Sequence, residues 1–223
     1  MGQAIGESIT FAVGVAISPV PVVAVILMLL SKEAGRNSLA FAAGWAVGIA
    51  GALAVVIAVS GSIGTDSGGG PSNGTSTVKL VLGVVLVLLA LRQWRNRPAQ
   101  GEPAHLPKWL EALEDVTPAR SGGLGVVLSA VNPKNLLLLI GGGLAIAGAP
   151  ASPGGMAVAA AVFLVLAASS VVVPVVLYRA LGARAERSLE SLGTWLQANN
   201  AAVMTVLLLV IGVLLIGKGL GGF

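Results

Sequence analysis

A lysine stands in the middle of a long apolar stretch, next to a proline. The run Ser129-Ala130-Val131-Asn132-Pro133-Lys134-Asn135-Leu136 is polar, yet from Leu124 to Ala149 Lys134 is the only fully charged side chain. Hydrocarbon offers no partner to an ammonium or to two Asn side chains. An ionisable group at such depth marks a functional site when it faces a polar cavity or a partner. Pro133 has no N–H, and its ring clashes with the carbonyl four residues back, so a helix must kink or break there. Backbone groups freed inside a membrane are tolerated only where protein buries them or where they line a cavity. The plainer alternative is a kinked helix whose lysine snorkels to the interface. Against it, Lys134 lies about 12 residues inside its segment, ~18 Å at helical rise.

The first apolar stretch echoes this patch. In Ala16-Ile17-Ser18-Pro19-Val20-Pro21, setting Pro19 over Pro133 puts Ser18 over Asn132, Ala16 over Ala130 and Pro21 over Asn135, an offset of 114 residues. Proline-interrupted segments in corresponding places of two halves point to a transporter's binding site. The candidate substrate-binding residues are therefore Ser18, Pro19, Pro21, Asn132, Pro133, Lys134 and Asn135.

Six apolar segments can be read, at 5–30, 39–60, 77–94, 122–149, 155–178 and 198–217. A straight helix needs about 20 residues to cross a bilayer. The first and fourth segments exceed that, and both hold the proline patch. Of the 223 residues 56% are hydrophobic and only 10% charged, against about 25% charged in soluble domains. The chain is expected to be an all-α membrane protein and a single transmembrane domain over 1–223. Within it, repeat 1 would cover 1–94, a cytoplasmic loop 95–121 and repeat 2 122–223. The absence of Cys excludes thiolate metal sites and disulfides. No metal, cofactor or nucleic-acid partner is expected. The net charge of +4 comes from basic residues in loops, and the single His105 falls in the third loop as a bystander.

Those loops set the orientation. Lys32 and Arg36, then Arg92, Arg95, Arg97, Lys108 and Arg120, then Arg179, Arg184 and Arg187 occupy the odd connections, and the even ones hold no basic residue. The positive-inside rule places the odd loops in the cytoplasm and both termini outside. Lys79 follows the second loop, and Lys218 opposes the assignment weakly, from the last turn of segment six, where it can snorkel. With three segments per half, the second half enters the membrane with opposite polarity. The expected fold is six transmembrane helices as two three-helix inverted repeats, with helices 1 and 4 broken. No basic residue precedes Lys32, and Glu7 stands where a signal peptide would be positive, so the first segment is not read as a leader. Glu7 sits near a membrane surface; it is a possible proton-coupling residue, with plain solvation as the alternative.

Smaller features fill in the picture. Gly44-Trp45-Ala46-Val47-Gly48, extended by Gly51, is a small-xxx-small pattern that admits a close helix, in this chain or in a partner copy. Gly141-Gly142-Gly143 should loosen the helix after Lys134. Pro174 should kink segment five, with Ser169 and Ser170 either satisfying freed carbonyls or lining a cavity. In the third loop, Pro107 and the shared face of Trp109, Leu110, Leu113 and Val116 suggest a short interfacial helix or one packed on the bundle.

Ser18-Pro19-Val20-Pro21, the loop with Pro107-Lys108-Trp109, and Ala130-Val131-Asn132-Pro133-Lys134-Asn135 resemble the GAP family. These are the glycopeptidolipid- and sulfolipid-addressing proteins of mycobacteria and related actinobacteria, within the LysE-type translocator superfamily. The resemblance covers essentially the whole chain, with Asn-Pro-Lys its most specific element. It implies export or flipping of a cell-envelope lipid or glycolipid across the bacterial inner membrane, or assistance to another exporter. The Gly- and Ala-rich composition fits a GC-rich actinobacterium. Lys134 would meet a polar or anionic head group, with Asn132 and Asn135 hydrogen bonding to it. The alternatives are an exporter of a small polar solute such as an amino acid, and a non-transporting scaffold for a lipid-export machine. A homodimer is possible in either case. A metal exporter fits poorly without Cys or an intramembrane His or Asp. No nucleophile constellation suggests an enzyme.

Overall fold

The computed structural model describes residues 1–31, 33–63, 73–97, 110, 113 and 116–221. Among them there are eight helices and no strand: α1 Gly2–Ala16, α2 Pro19–Leu29, α3 Ala34–Ile63, α4 Asn73–Arg95, α5 Pro118–Ala130, α6 Pro133–Ala147, α7 Pro153–Leu181 and α8 Ala183–Leu220. Four of these (α3, α4, α7 and α8) are long and apolar enough to cross a membrane singly. The pairs α1–α2 and α5–α6 each do so only together, bent by 53° and 62°, giving up to six spans. This is the architecture of a multi-pass membrane protein, and each half of the chain opens with a bent pair.

Proline and short polar caps place most of the helix starts. Pro19, Pro118, Pro133 and Pro153 sit in the first turns of α2, α5, α6 and α7, where a missing N–H costs nothing. Thr117 and Ser152 cap α5 and α7 with side-chain oxygens, accepting from the backbone N–H of Arg120 at 3.4 Å and of Gly155 at 3.2 Å. Between α7 and α8 the chain turns on Gly182 at φ 55°. A Cβ there would meet nothing within 4 Å, so it is the left-handed backbone, not crowding, that favours glycine.

Several boundaries differ from the reading of the sequence. The last helix starts at Ala183, fifteen residues before the apolar segment 198–217. Its opening turns are amphipathic: Ala185 and Leu189 are buried while Arg184 and Glu190 are exposed, a pattern that a hydropathy reading trims away. Likewise α5 begins at Pro118, inside the expected 95–121 loop. Pro174, read as a kink and not as an end, lies inside α7, which continues to Leu181. The glycine run 141–143, read as loosening the helix, lies inside α6, which continues to Ala147. Added Cβ atoms there would stand 2.3 Å from the ring of Phe11, 2.3 Å from the ring of Phe163 and 2.5 Å from Val56, so the run seats those side chains. Most of the expected interfacial helix falls outside the described residues; Leu110 and Leu113 are buried in the core, and the Val116 carbonyl accepts from Asn37 Nδ2 at 2.8 Å.

Glycines also set the closest helix pairs. A Cβ at Gly44 would lie 2.0 Å from the Gly122 carbonyl oxygen, and one at Gly48 2.0 Å from Ser129 Oγ. The small-residue pattern of α3 is therefore taken up by α5 of the same chain, while Gly51 touches nothing. A second such seam joins α4 to α8 through Gly83, Gly212 and Gly219. It is invisible as a motif because its glycines lie in two distant segments. In a membrane, where apolar burial gives little drive, such backbone approach is what holds helices together. At the centre, α2 buries nine of its eleven residues, packed against α3, α7 and α8.

Candidate functional site

The site is built where the two bent pairs meet. In α1–α2 the chain leaves helical geometry at Ile17, φ −78° and ψ 72°, an inverse γ-turn closed by Ser18 N–H on the Ala16 carbonyl at 2.8 Å. Two prolines strip donors from this turn. Pro19 has no N–H for the Val15 carbonyl four residues back, and Pro21 has none for that of Ile17. The Gly14 carbonyl loses its usual partner as well, because Ser18 N–H has gone to Ala16. Three carbonyls, those of Gly14, Val15 and Ile17, thus need donors from elsewhere.

Side chains supply them. Ser18 Oγ lies 2.8 Å from the Val15 oxygen. Lys134 Nζ donates to the Gly14 oxygen at 2.9 Å and to the Ile17 oxygen at 3.0 Å. Its third N–H goes to Ser18 Oγ. All three ammonium donors are therefore matched, each across about 120 residues of sequence. Lys134 is 6% exposed, so the charge does not snorkel to an interface. No carboxylate accompanies it: among the described residues the one ion pair is Lys79–Glu7.

Lys134 reaches this position because α6 begins at Pro133. Asn132 is the N-cap of α6, its Oδ1 accepting Lys134 N–H at 3.1 Å. Asn135, fully buried, joins the two breaks: Oδ1 lies 3.1 Å from Ser18 Oγ, and Nδ2 donates to the Leu128 carbonyl of α5 at 3.0 Å. Of the residues singled out in the sequence, the structure brings Ser18, Lys134 and Asn135 into one network. Pro19 and Pro21 create the need for it. Asn132 serves its own helix, and Pro133 is exposed on the outside of the turn.

Glu7 lies apart, half-buried between Gln3 Nε2 at 3.0 Å and Lys79 Nζ at 4.0 Å. It links α1 to the start of α4, where the sequence reading treated it as a lone acid. Ser169 Oγ donates to the Leu166 carbonyl at 2.7 Å, and the buried Ser170 Oγ has no partner. The functional atoms that sequence reasoning missed are the Gly14 and Ile17 carbonyls. A signal for one was present, since a proline at 21 identifies Ile17 as the carbonyl without a donor.

Comparison with known proteins gives one finding. The model of a family described as Sap, sulfolipid-1-addressing protein, matches residues 9–221, from the middle of α1 to the end of α8, which takes in both breaks. No curated relative and no solved structure matches the chain.

Proposed function

This chain belongs to the sulfolipid-1-addressing protein family, and from that premise we propose that it exports or flips a cell-envelope lipid with an anionic or sugar head group across the inner membrane. Membership supports a role in lipid addressing or export. The reading of a transporter rests on one observation: a buried lysine without a counter-charge that ties two helix breaks together.

Burying an ammonium in a membrane costs roughly 2.5–3.5 kcal/mol on insertion scales. Neutral carbonyls and a hydroxyl offset part of this but supply no opposite charge. An anionic head group entering between the breaks offers Lys134 a charge-assisted bond, stronger than the neutral ones it replaces. The lipid class in the family's name has the matching sign. On leaving the first break, Lys134 returns the Gly14 and Ile17 carbonyls to an unsatisfied state, which frees α1 and α2 to change their angle. Head-group binding and a change at the hinge are coupled through one side chain. In this reading α1–α4 and α5–α8 are inverted repeats, as in LysE-type translocators, with Ser18 and Asn132 as counterparts, and the protein carries its substrate without transforming it.

The matched ammonium also supports a second reading, in which the network is a rigid clamp and the protein is a scaffold for an export machine. Purified protein in liposomes separates the two. Lipid export by the wild type, lost in Lys134→Met at equal amounts of folded protein, is expected of the transporter. Export by Lys134→Met at the wild-type rate refutes the site; no export by the wild type favours the scaffold. Topology is tested separately. With both termini outside, a cysteine at Ser67 reacts with an impermeant reagent from outside and one at Gln100 does not; the reverse pattern inverts the orientation.

A further inference from the structure

An apolar groove of about 490 Å³ lies between the C-terminal half of α3 and the N-terminal half of α7. Its walls include Leu53, Ile57, Met156 and Leu164. Its open side is a row of exposed alanines, Ala157 and Ala161 among them. Along α7 it runs from Pro153, the first residue of the helix, to Leu164. At helical rise that is about 16 Å, close to half of the ~30 Å hydrocarbon thickness. A groove of that length matches the depth of one leaflet.

Just past its inner end stands Trp45. This ring is fully buried, stacks on Phe41 at 6.5 Å, and donates Nε1–H to the Ala167 carbonyl of α7 at 3.4 Å. It closes the α3–α7 seam one turn beyond Leu164. A volume of about 490 Å³ spread along that length leaves a narrow slot, wide enough for one extended chain. A helix of a partner crosses both leaflets and is too bulky for a slot of this volume and length.

We propose that this groove is a blind binding slot for a single acyl chain of a membrane lipid, entering from the surface at Pro153 and ending against the wall that Trp45 seals. The inference rests on the membrane-spanning fold and not on transport, so it stands or falls apart from the export reading. Behind the groove, Leu53 packs against Gly143 of α6, the helix that carries Lys134. A chain held here thus lies beside the element that bears the head-group site.

Bromine quenching tests the slot. With Trp94, Trp109 and Trp195 replaced by Phe, Trp45 is the one emitter left of four tryptophans. The protein is placed in phosphatidylcholine vesicles brominated either near the methyl end of the acyl chains or near the head group. Methyl-end bromines should quench Trp45 at least twofold more than head-group-proximal ones. Ala161→Phe, which fills the slot, should remove that difference; Ala157→Phe serves the same purpose higher in the groove if the first variant does not fold. Equal quenching by the two lipids, or quenching unchanged in both filled variants, overturns the proposal. So does disulfide formation between copies through Ala157→Cys in this otherwise cysteine-free chain, since a second copy then occupies the groove.

Discussion

The two helix breaks use one device and solve it differently. Each ends a helix, places a small polar residue as N-cap and starts the next helix on a proline: Ser18–Pro19 in one, Asn132–Pro133 in the other. The second break looks after itself. Asn132 caps Lys134 N–H, Val131 N–H returns to the Val127 carbonyl at 2.9 Å, and Asn135 fills the Leu128 carbonyl. The first break does not. Ser18 makes no capping bond to its own helix, partly because Pro21 has removed one N–H that such a cap serves. Its hydroxyl, and two carbonyls with it, depend on Lys134 from the other half. The dependence runs one way: loosening the second break's lysine undoes the first break and leaves the second capped.

The most severe test of that asymmetry is Lys134→Met. Removing the charge returns roughly 2.5–3.5 kcal/mol of insertion cost. Leaving buried carbonyls without donors loses about 1–3 kcal/mol each. The two carbonyls that lose their donor largely offset that gain, so stability should fall by about 3.5 kcal/mol at most, while export falls at least tenfold. Denaturation in detergent beside an export assay checks both numbers. Lys134→Arg keeps donors but swaps a point charge for a planar fork, and should restore the folded state fully and export only in part. A loss of export that merely tracks the loss of folded protein would reduce Lys134 to a clamp.

Next in size is Ser18→Ala. It deletes an acceptor of the ammonium and a donor to Val15 or Asn135 in one step. Hydrogen bonds between membrane helices average about 0.6 kcal/mol and reach about 1.7, so a loss of about 1–2 kcal/mol is expected, with export down several-fold. Hydrogen exchange should rise around Ile17 and stay unchanged around Val131. Equal changes at both breaks would show that the two are not asymmetric.

How much of this was legible beforehand follows from the range of each interaction. The breaks were readable because proline acts on its own backbone, four residues away. The burial of Lys134 was readable because 26 residues around it hold no other charge. Asn132 and Asn135 could not be told apart: three residues along a helix decide whether an amide caps its own first turn or crosses to another segment, and both are Asn. The α4–α8 seam was not legible, since single glycines such as Gly83 and Gly212 carry no pattern until the helices are paired. Nor was the first half of α8, whose charged outer face offsets the buried Ala185 and Leu189 in any hydropathy average.

Asn132→Ala separates the cap from the bridge. Losing an N-cap costs about 1 kcal/mol, here at the start of α6. Export should weaken about two- to threefold, through a less firmly placed Lys134. The signature is hydrogen exchange rising at Lys134 and Asn135 N–H with Ile17 and Ser18 unaffected. Exchange rising first at Ser18 would mean that the second break leans on the first.

The smallest effect, and the most specific, belongs to Pro21→Ala. It restores an N–H at the third position of α2, the position that an N-cap hydroxyl commonly serves. Ser18 Oγ then gains a local partner and is drawn away from Lys134, so the first break acquires some of the self-sufficiency of the second. Stability should change by less than about 1 kcal/mol, since one hydrogen bond replaces another. The cost of Lys134→Met should change more. If the first break depends on the lysine because its prolines remove donors, the double variant Pro21→Ala with Lys134→Met loses less stability than the sum of the singles, with a coupling of about 0.5–1.5 kcal/mol, the range for residues sharing partners. Export should stay lost in that double variant, because a restored N–H replaces part of the clamp and not the charge. Additive stabilities would mean that the lysine is held by something other than the donors those prolines remove.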